Sequence, residues 1–320
     1  MRLTTLMGDS LTALVGLGGG DASALSKLRL GDTSPSAPSL PVMIAIDHGF
    51  YAAENLEVEI TYTGNNTTVA QQLIGRNFDL GLTTFETAIR AIDKGAPVQI
   101  TGSVMLKYAY SMMADKTINS ISQMKGKSVM LALPKSALTV YWNRALEKAG
   151  MKINDVEQLY DGSTVNRFAA LSSGSVQAAA LNQPLDFLAQ DKGYNKIVDI
   201  TDFARGFGFT AVIGARNWLD QHADETKGFY RATKKGVSFF YDPAKKDAVI
   251  ATLIKHTKID AASAERTYLY YRDELKPYDP NLSADDATIR TVVNLINEVE
   301  GSSIDANNPR KFVTQAFLPN

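Results

Sequence analysis

The chain has 320 residues, 45% of them hydrophobic and 21% charged, with a formal net charge of −1. That length and balance describe an ordinary globular protein with one large or two medium domains, and the near-neutral charge excludes a general nucleic-acid or acidic-membrane binder. Cysteine is absent, which removes thiol catalysis, cysteine-ligated zinc and iron–sulfur clusters together.

Residues 1–26 read as a leader or a tail outside the fold. Arg2 precedes a mildly apolar stretch from Leu11 to Leu17, and Ala22-Ser23-Ala24 has the small-x-small form of a signal-peptidase site. Gly8-Asp9-Ser10 interrupts the apolar region, so a degraded leader and a non-functional tail both stay open. The glycines at 16–20 follow no strand and do not make a phosphate loop. Leu28-Arg29-Leu30 then reads as a strand, and the apolar spacing from Leu40 to Ala53 predicts a helix. Val58 to Tyr62 alternates as a strand, and a helix from Val69 to Ile74 ends at Gly75. Asp79 to Leu82 is a further strand, followed by a helix through Ala91 and a fourth strand at Val98 to Thr101.

A second series repeats the unit. Tyr110 to Ala114 and Ser128 to Leu133 are strands, and Pro134-Lys135-Ser136 leads into a helix from about Ala137 to Ala149. Strands at Val156 to Tyr160, Val176 to Leu181 and Ile197 to Ile200 complete the set, with a helix from Gly162-Ser163-Thr164 through Leu171. Beyond Trp218 the chain reads as helical. Two blocks of alternating strands and helices predict an α/β fold with mainly parallel sheets covered on both faces.

In such sheets ligands bind beyond the carboxyl ends of the strands, where helix N-termini offer free N–H groups. Here those ends carry Thr33-Ser34, Gly64-Asn65-Asn66, Thr83-Thr84, Lys135-Ser136, Gly162-Ser163 and Asn182-Gln183. Each alone is an ordinary helix cap. Together they are small donors and amides suited to holding a ligand, without the histidines or paired carboxylates that hydrolysis or transfer requires. His48, His222 and His256 lie far apart with no metal-binding spacing, and Ser136 has no Gly-x-Ser-x-Gly elbow. Neither metal nor cofactor is expected. Tyr268, Tyr270 and Tyr271 read as packing on a terminal helix.

The order of segments resembles the SsuA/THI5-like (NMT1-type) substrate-binding proteins of ABC importers. The matching stretches are Leu40 to Tyr51, Glu54 to Glu59, Gln72 to Gly81, Lys94 to Val98, Ile118 to Val129 and Leu171 to Ala179. They span about residues 28–220, with Gln177 where the family often has an acid. The resemblance implies a two-lobed periplasmic-binding-protein fold, hinged by crossovers near Thr101 to Tyr108 and Phe203 to Phe209. Lobe one would comprise residues 27–104 and 209–320, and lobe two residues 105–208. It further implies an exported, periplasmic, non-enzymatic monomer that delivers a small organic ligand to a membrane permease. The expected contacts are Ser34, Asn65, Asn66, Thr84 and Phe85 from lobe one, and Lys135, Ser136, Ala137, Leu138 and Thr139 from the entrance of the lobe-two helix. Asn182, Gln183, Arg205 and Phe207 complete the set. Lys107, Lys135 and Arg205 are the candidate cations for an organic anion, and Phe85, Phe207 and Phe209 the candidate aromatic walls. An enzyme of the pyrimidine-synthase or lyase type and a ligand-sensing domain are the alternative readings.

Overall fold

The structure, a computed structural model, describes residues 24–319. Of the segment assigned to the leader, residues 1–23 lie outside the described residues. Ser26 lies inside the fold: it opens the first strand, and its amide donates to the Asn55 carbonyl at 2.9 Å.

Ten strands occur among the described residues. They are β1 (Ser26–Asp32), β2 (Leu56–Tyr62), β3 (Leu80–Thr84), β4 (Val98–Met105), β5 (Ser111–Ala114), β6 (Ser128–Leu131), β7 (Glu157–Tyr160), β8 (Ala178–Leu181), β9 (Asn195–Asp199) and β10 (Thr210–Ala215). The helices are α1 (Leu40–Asp47), α2 (Asn66–Ile74), α3 (Phe85–Asp93), α4 (Ala137–Lys148), α5 (Thr164–Ser172), α6 (Leu185–Asp191), α7 (Arg216–Gln221), α8 (Ala223–Tyr241), α9 (Lys246–Thr257), α10 (Ala261–Leu269) and α11 (Asp286–Glu300).

The strands form two sheets, one in the order β2-β1-β3-β10-β4 and the other β7-β6-β8-β5-β9. The chain passes from the first to the second after β4 and returns after β9, so each sheet belongs to its own lobe. Both sheets are mixed. β1 runs parallel to β2 and β3, and β6 parallel to β7 and β8. The first strand after each passage, β5 or β10, runs antiparallel to both of its neighbours. The expectation of mainly parallel sheets therefore describes only the strands joined by helices within one lobe, because a strand entering from the other lobe is free to run the opposite way.

Four strand ends hand over to helices through side-chain caps, as the polar loops predict. Asn65, Thr84, Ser136 and Ser163 accept from the amides of Thr68, Thr87, Thr139 and Asn166 at 2.8, 3.3, 3.4 and 3.4 Å. The predicted helix from Leu40 to Ala53 is shorter, stopping at Asp47, because Gly49 turns the chain at φ +69°. β10, an interior strand of the first sheet, and α6 are elements absent from the sequence reading.

The helices after β10 cover the first lobe, and α10 reaches across to α6 of the second, where Arg266 pairs with Asp191 at 3.3 Å. α8 packs on α1, where Gly236 lets the two backbones approach: a Cβ there would stand 2.2 Å from the Pro41 carbonyl oxygen. Tyr268 and Tyr271 are buried in this layer, the packing role expected of them. Between the lobes the core continues through an aromatic cluster drawn from both passages. Tyr108 meets Phe207 and Phe209 edge-on at ring separations of 5.4 and 4.8 Å, and Tyr141 of α4 meets Phe207 at 5.7 Å.

Candidate functional site

The carboxyl ends of β1 and β3 face those of β6 and β8 across a narrow cleft, with a cavity of about 30 Å³ between the lobes. On the first lobe Asp32 ends β1 and is buried. Its carboxylate accepts from the Ser39 hydroxyl at 2.5 Å and the Thr33 amide at 2.6 Å. Burial nevertheless pushes its carboxyl up to about 6, since the cost of desolvating the charge outweighs those hydrogen bonds. Asn66 opens α2, and its Oδ1 accepts from the Thr83 hydroxyl at 3.2 Å and the Thr84 amide at 3.1 Å. That arrangement fixes the carboxamide and keeps its Nδ2 as a donor for the cleft.

On the second lobe Asn182 follows β8. It is 4% exposed, and its Oδ1 has no hydrogen-bond partner. Thr164, at the start of α5, accepts from Arg167 at 2.8 Å, so its own hydroxyl proton is free to donate into the cleft. Arg167 is fully buried, and its remaining hydrogen bonds go to the Ala180 and Asp161 carbonyls, both at 2.7 Å. Its guanidinium lies 5.6 Å from the centroid of the Tyr110 ring. Tyr110 and Phe209, one from each passage and 5.5 Å apart, close the cavity. Gly162 brings the lobe-two loop against lobe one, where a Cβ would stand 2.5 Å from the Asn65 Cβ.

Of the residues expected from sequence, Ser34, Asn66, Thr84 and Asn182 line this cavity together. Asn65 does not line it; its side-chain oxygen caps α2. Gln183 is buried behind the wall, donating to Asp186 at 2.7 Å and accepting from the Tyr271 hydroxyl at 3.0 Å. Phe85 and Phe207 lie in the core, and of the three candidate aromatic residues it is Phe209 that reaches the cavity. Arg205 is exposed, and Lys107 is turned to the Leu275 carbonyl at 2.5 Å. Neither lines the cavity.

The entrance of α4 is arranged differently from the expectation. Lys135 and Ser136 border a separate, largely apolar cavity of about 520 Å³, shared with α2 and α3. Leu138 and Thr139 are buried, and the Thr139 hydroxyl donates to the Leu133 carbonyl at 2.7 Å. The Ala137 amide at the helix start donates to the carboxylate of Glu86, from α3 of the opposite lobe, at 2.8 Å. Glu86 is buried, which pushes its carboxyl up to about 7 against the opposing pull of Arg90 and this hydrogen bond. Nearby, Arg90 donates to the Lys135 carbonyl at 2.6 Å and to Glu300 at 2.5 Å. The positive end of α4 thus meets a carboxylate of the protein itself.

Sequence reasoning missed Asp32, Tyr110, Thr164, Arg167 and Glu86. Asp32 sat one residue before a flagged loop and was within reach of the same argument. Arg167 and Glu86 lie inside helices, where no local signal marks the direction in which a side chain is buried. Among the described residues no group of three or more histidines or acids is placed to hold a metal ion, and no helix is long and apolar enough to cross a membrane.

Several comparisons bear on this arrangement. YtlA of Bacillus subtilis (strain 168) is 21% identical over 265 residues, covering 80% of this chain and 78% of its own. The ligand-binding component of an ABC-type import system from Staphylococcus aureus, solved with zinc bound, superposes with a TM-score of 0.76 at 14% identity, covering 91% of this chain and 97% of that one. The alkanesulfonate-binding protein SsuA from Xanthomonas axonopodis pv. citri, bound to MOPS, gives a TM-score of 0.72 at 16% identity, over 92% and 96% of the two chains. These likenesses identify the architecture as the two-lobed periplasmic-binding-protein fold. The profile of the NMT1/THI5-like family matches residues 37–246, well over half of the sequence, and the chain belongs to that family.

Proposed function

We propose that this protein is the substrate-binding component of an ABC-type importer, which captures a small organic solute between its lobes and hands it to a membrane permease. The observation that carries this reading is the cleft itself, where uncommitted hydrogen-bonding groups of both lobes face one cavity, which at about 30 Å³ is shut down to the size of a water or two and widens as the lobes part to admit a solute. Such groups fix a ligand's orientation, and a ligand touching both walls favours the state in which they are close. The solved importer component from Staphylococcus aureus and the SsuA proteins share this fold, which supports the reading.

In this reading lobe one comprises residues 26–105 and 209–320, and lobe two residues 106–208, the bounds expected from sequence moved by one residue to keep β1 and β4 whole. The passages between them act as the hinge. Ser34, Asn66, Thr84 and Asn182 hold the solute, joined by Asp32, Tyr110, Thr164 and Phe209. The protein works as an exported monomer and performs no chemistry, in keeping with the binding components that share its fold. Native mass spectrometry of the purified protein, followed by small-angle scattering with and without the molecule it carries, tests this. The expected result is one unaltered organic solute per chain and a more compact particle when it is bound. Turnover of that molecule, or a scattering profile indifferent to every bound solute, overturns the reading.

A further inference from the structure

The two walls of the cleft differ in electrical character. Among the described residues no Lys or Arg side chain lines the cavity, and the charged group facing it from lobe one is the Asp32 carboxylate, whose hydrogen bonds come from neutral donors alone. Across the cleft the Asn182 Oδ1, buried and unpartnered, is a second acceptor. A buried acceptor without a donor is costly, and a ligand N–H is the group that relieves it. The opposite polarity stands behind Thr164. There the Arg167 guanidinium is buried with neutral oxygens as its hydrogen-bond partners, and it orients the Thr164 hydroxyl as a donor. The seat that would serve an anion at the start of α4 is already filled by Glu86.

We propose that the captured solute is dipolar: an N–H-bearing group, an ammonium or an amide, rests on Asp32 and Asn182, and an acceptor group, a carboxylate, sulfonate or carbonyl, meets Thr164 in front of Arg167. A nitrogen-free anion satisfies only the second half. Turned either way, it leaves the Asn182 oxygen unpaired and brings like charge toward Asp32. An amine without an acceptor leaves the Thr164 hydroxyl and the Arg167 charge unanswered. This inference rests on the reading of the cleft as a solute site.

The test is a thermal-shift screen of the full chain at neutral pH against three sets of small solutes. One set is dipolar (amino acids, aminosulfonates and ureas), one consists of nitrogen-free carboxylates and sulfonates, and one of amines lacking an acceptor. The largest stabilisation is expected from the dipolar set. Calorimetry with the best solute should then show affinity falling at least about tenfold in Asp32→Asn and in Thr164→Val, each losing a charge-assisted or directed contact. Asn182→Ala serves as a third variant should Asp32→Asn fail to fold, and the screen on the unaltered protein stands without any of them. A nitrogen-free anion as the best solute, or a dipolar solute that binds all folded variants equally, overturns the proposal while leaving solute capture standing. If no solute in any set stabilises the protein, the capture reading falls with it.

Discussion

Ser136 and Glu86 meet the same helix end from opposite lobes, and they do different work there. The Ser136 hydroxyl accepts from the Thr139 amide and donates to the Leu133 carbonyl at 2.9 Å, so both of its capacities are used within its own loop. Ser136→Ala is therefore expected to lower stability by about 1 kcal/mol, the usual worth of a cap, and to leave solute affinity unchanged. Urea denaturation and calorimetry on the same variant separate the two effects, and a loss of affinity without a loss of stability would place the hydroxyl on the solute. At this scale the sequence speaks clearly about position and poorly about direction. Ser34, Asn66, Thr84 and Asn182 follow from where strands end, since any side chain just past a strand's carboxyl end faces the loops. Arg167 could not be found that way. Its guanidinium is placed by the Ala180 and Asp161 carbonyls, which are contributed by other segments.

α3 and α4 are linked across the cleft by the Glu86 carboxylate on the Ala137 amide, and the burial of Glu86 at this contact gives stability a pH dependence. The charged and titratable groups facing Glu86 are Arg90 on its own helix, Tyr108 from the passage and Tyr141 on α4. An acid raised from 4.5 to about 7 binds its proton more tightly when buried. Between those values the folded form holds more protons than the unfolded one, so its stability falls as pH rises through that window. Asp32 and Asp186, both raised to about 6 by burial, act in the same direction. Glu86→Gln keeps an acceptor for Ala137 and removes the ionisation. Denaturation midpoints measured at pH 5 and pH 7.5 should differ less in Glu86→Gln than in the parent, and an undiminished difference would assign the effect to the other acids. The elements themselves were legible wherever period-two or helical spacing ended in a cap. β10 escaped because Thr210–Ala215 is buried on both faces and shows no alternation, and α6 because it starts after Pro184 without a side-chain cap.

For the molecule as a whole, the approach of Gly162 to Asn65 sets how far the lobes close. An added methyl meets the Asn65 Cβ only when the walls come together, so Gly162→Ala is expected to spare each lobe and oppose closure. Overpacking of about 1–3 kcal/mol corresponds to roughly tenfold weaker solute binding, with the melting temperature of the solute-free protein little changed. Calorimetry paired with scattering checks this, and parental affinity together with full compaction would show that the contact yields easily. The two-block organisation was visible in the repetition of strand, loop and helix, whereas the antiparallel entry of β5 and β10 depends on how the chain returns between lobes and has no local signature.

The tail of the chain carries a different consequence. Phe312 and Thr314 run along the outer side of β4, with the Ile100 amide donating to Phe312 at 3.0 Å and the Thr314 amide to Ile100 at 2.9 Å. At the far edge of that sheet β2 presents Glu57 and Glu59, paired with Lys27 at 3.9 and 3.4 Å. The second sheet ends in β7, only four residues long, and in β9, which carries the Lys196–Asp199 pair at 3.2 Å. Every margin is thus roofed, charged or brief, and opening the lobes uncovers loops instead of bare strands. Lobes that part in solution would thereby offer their neighbours no template for β-aggregation.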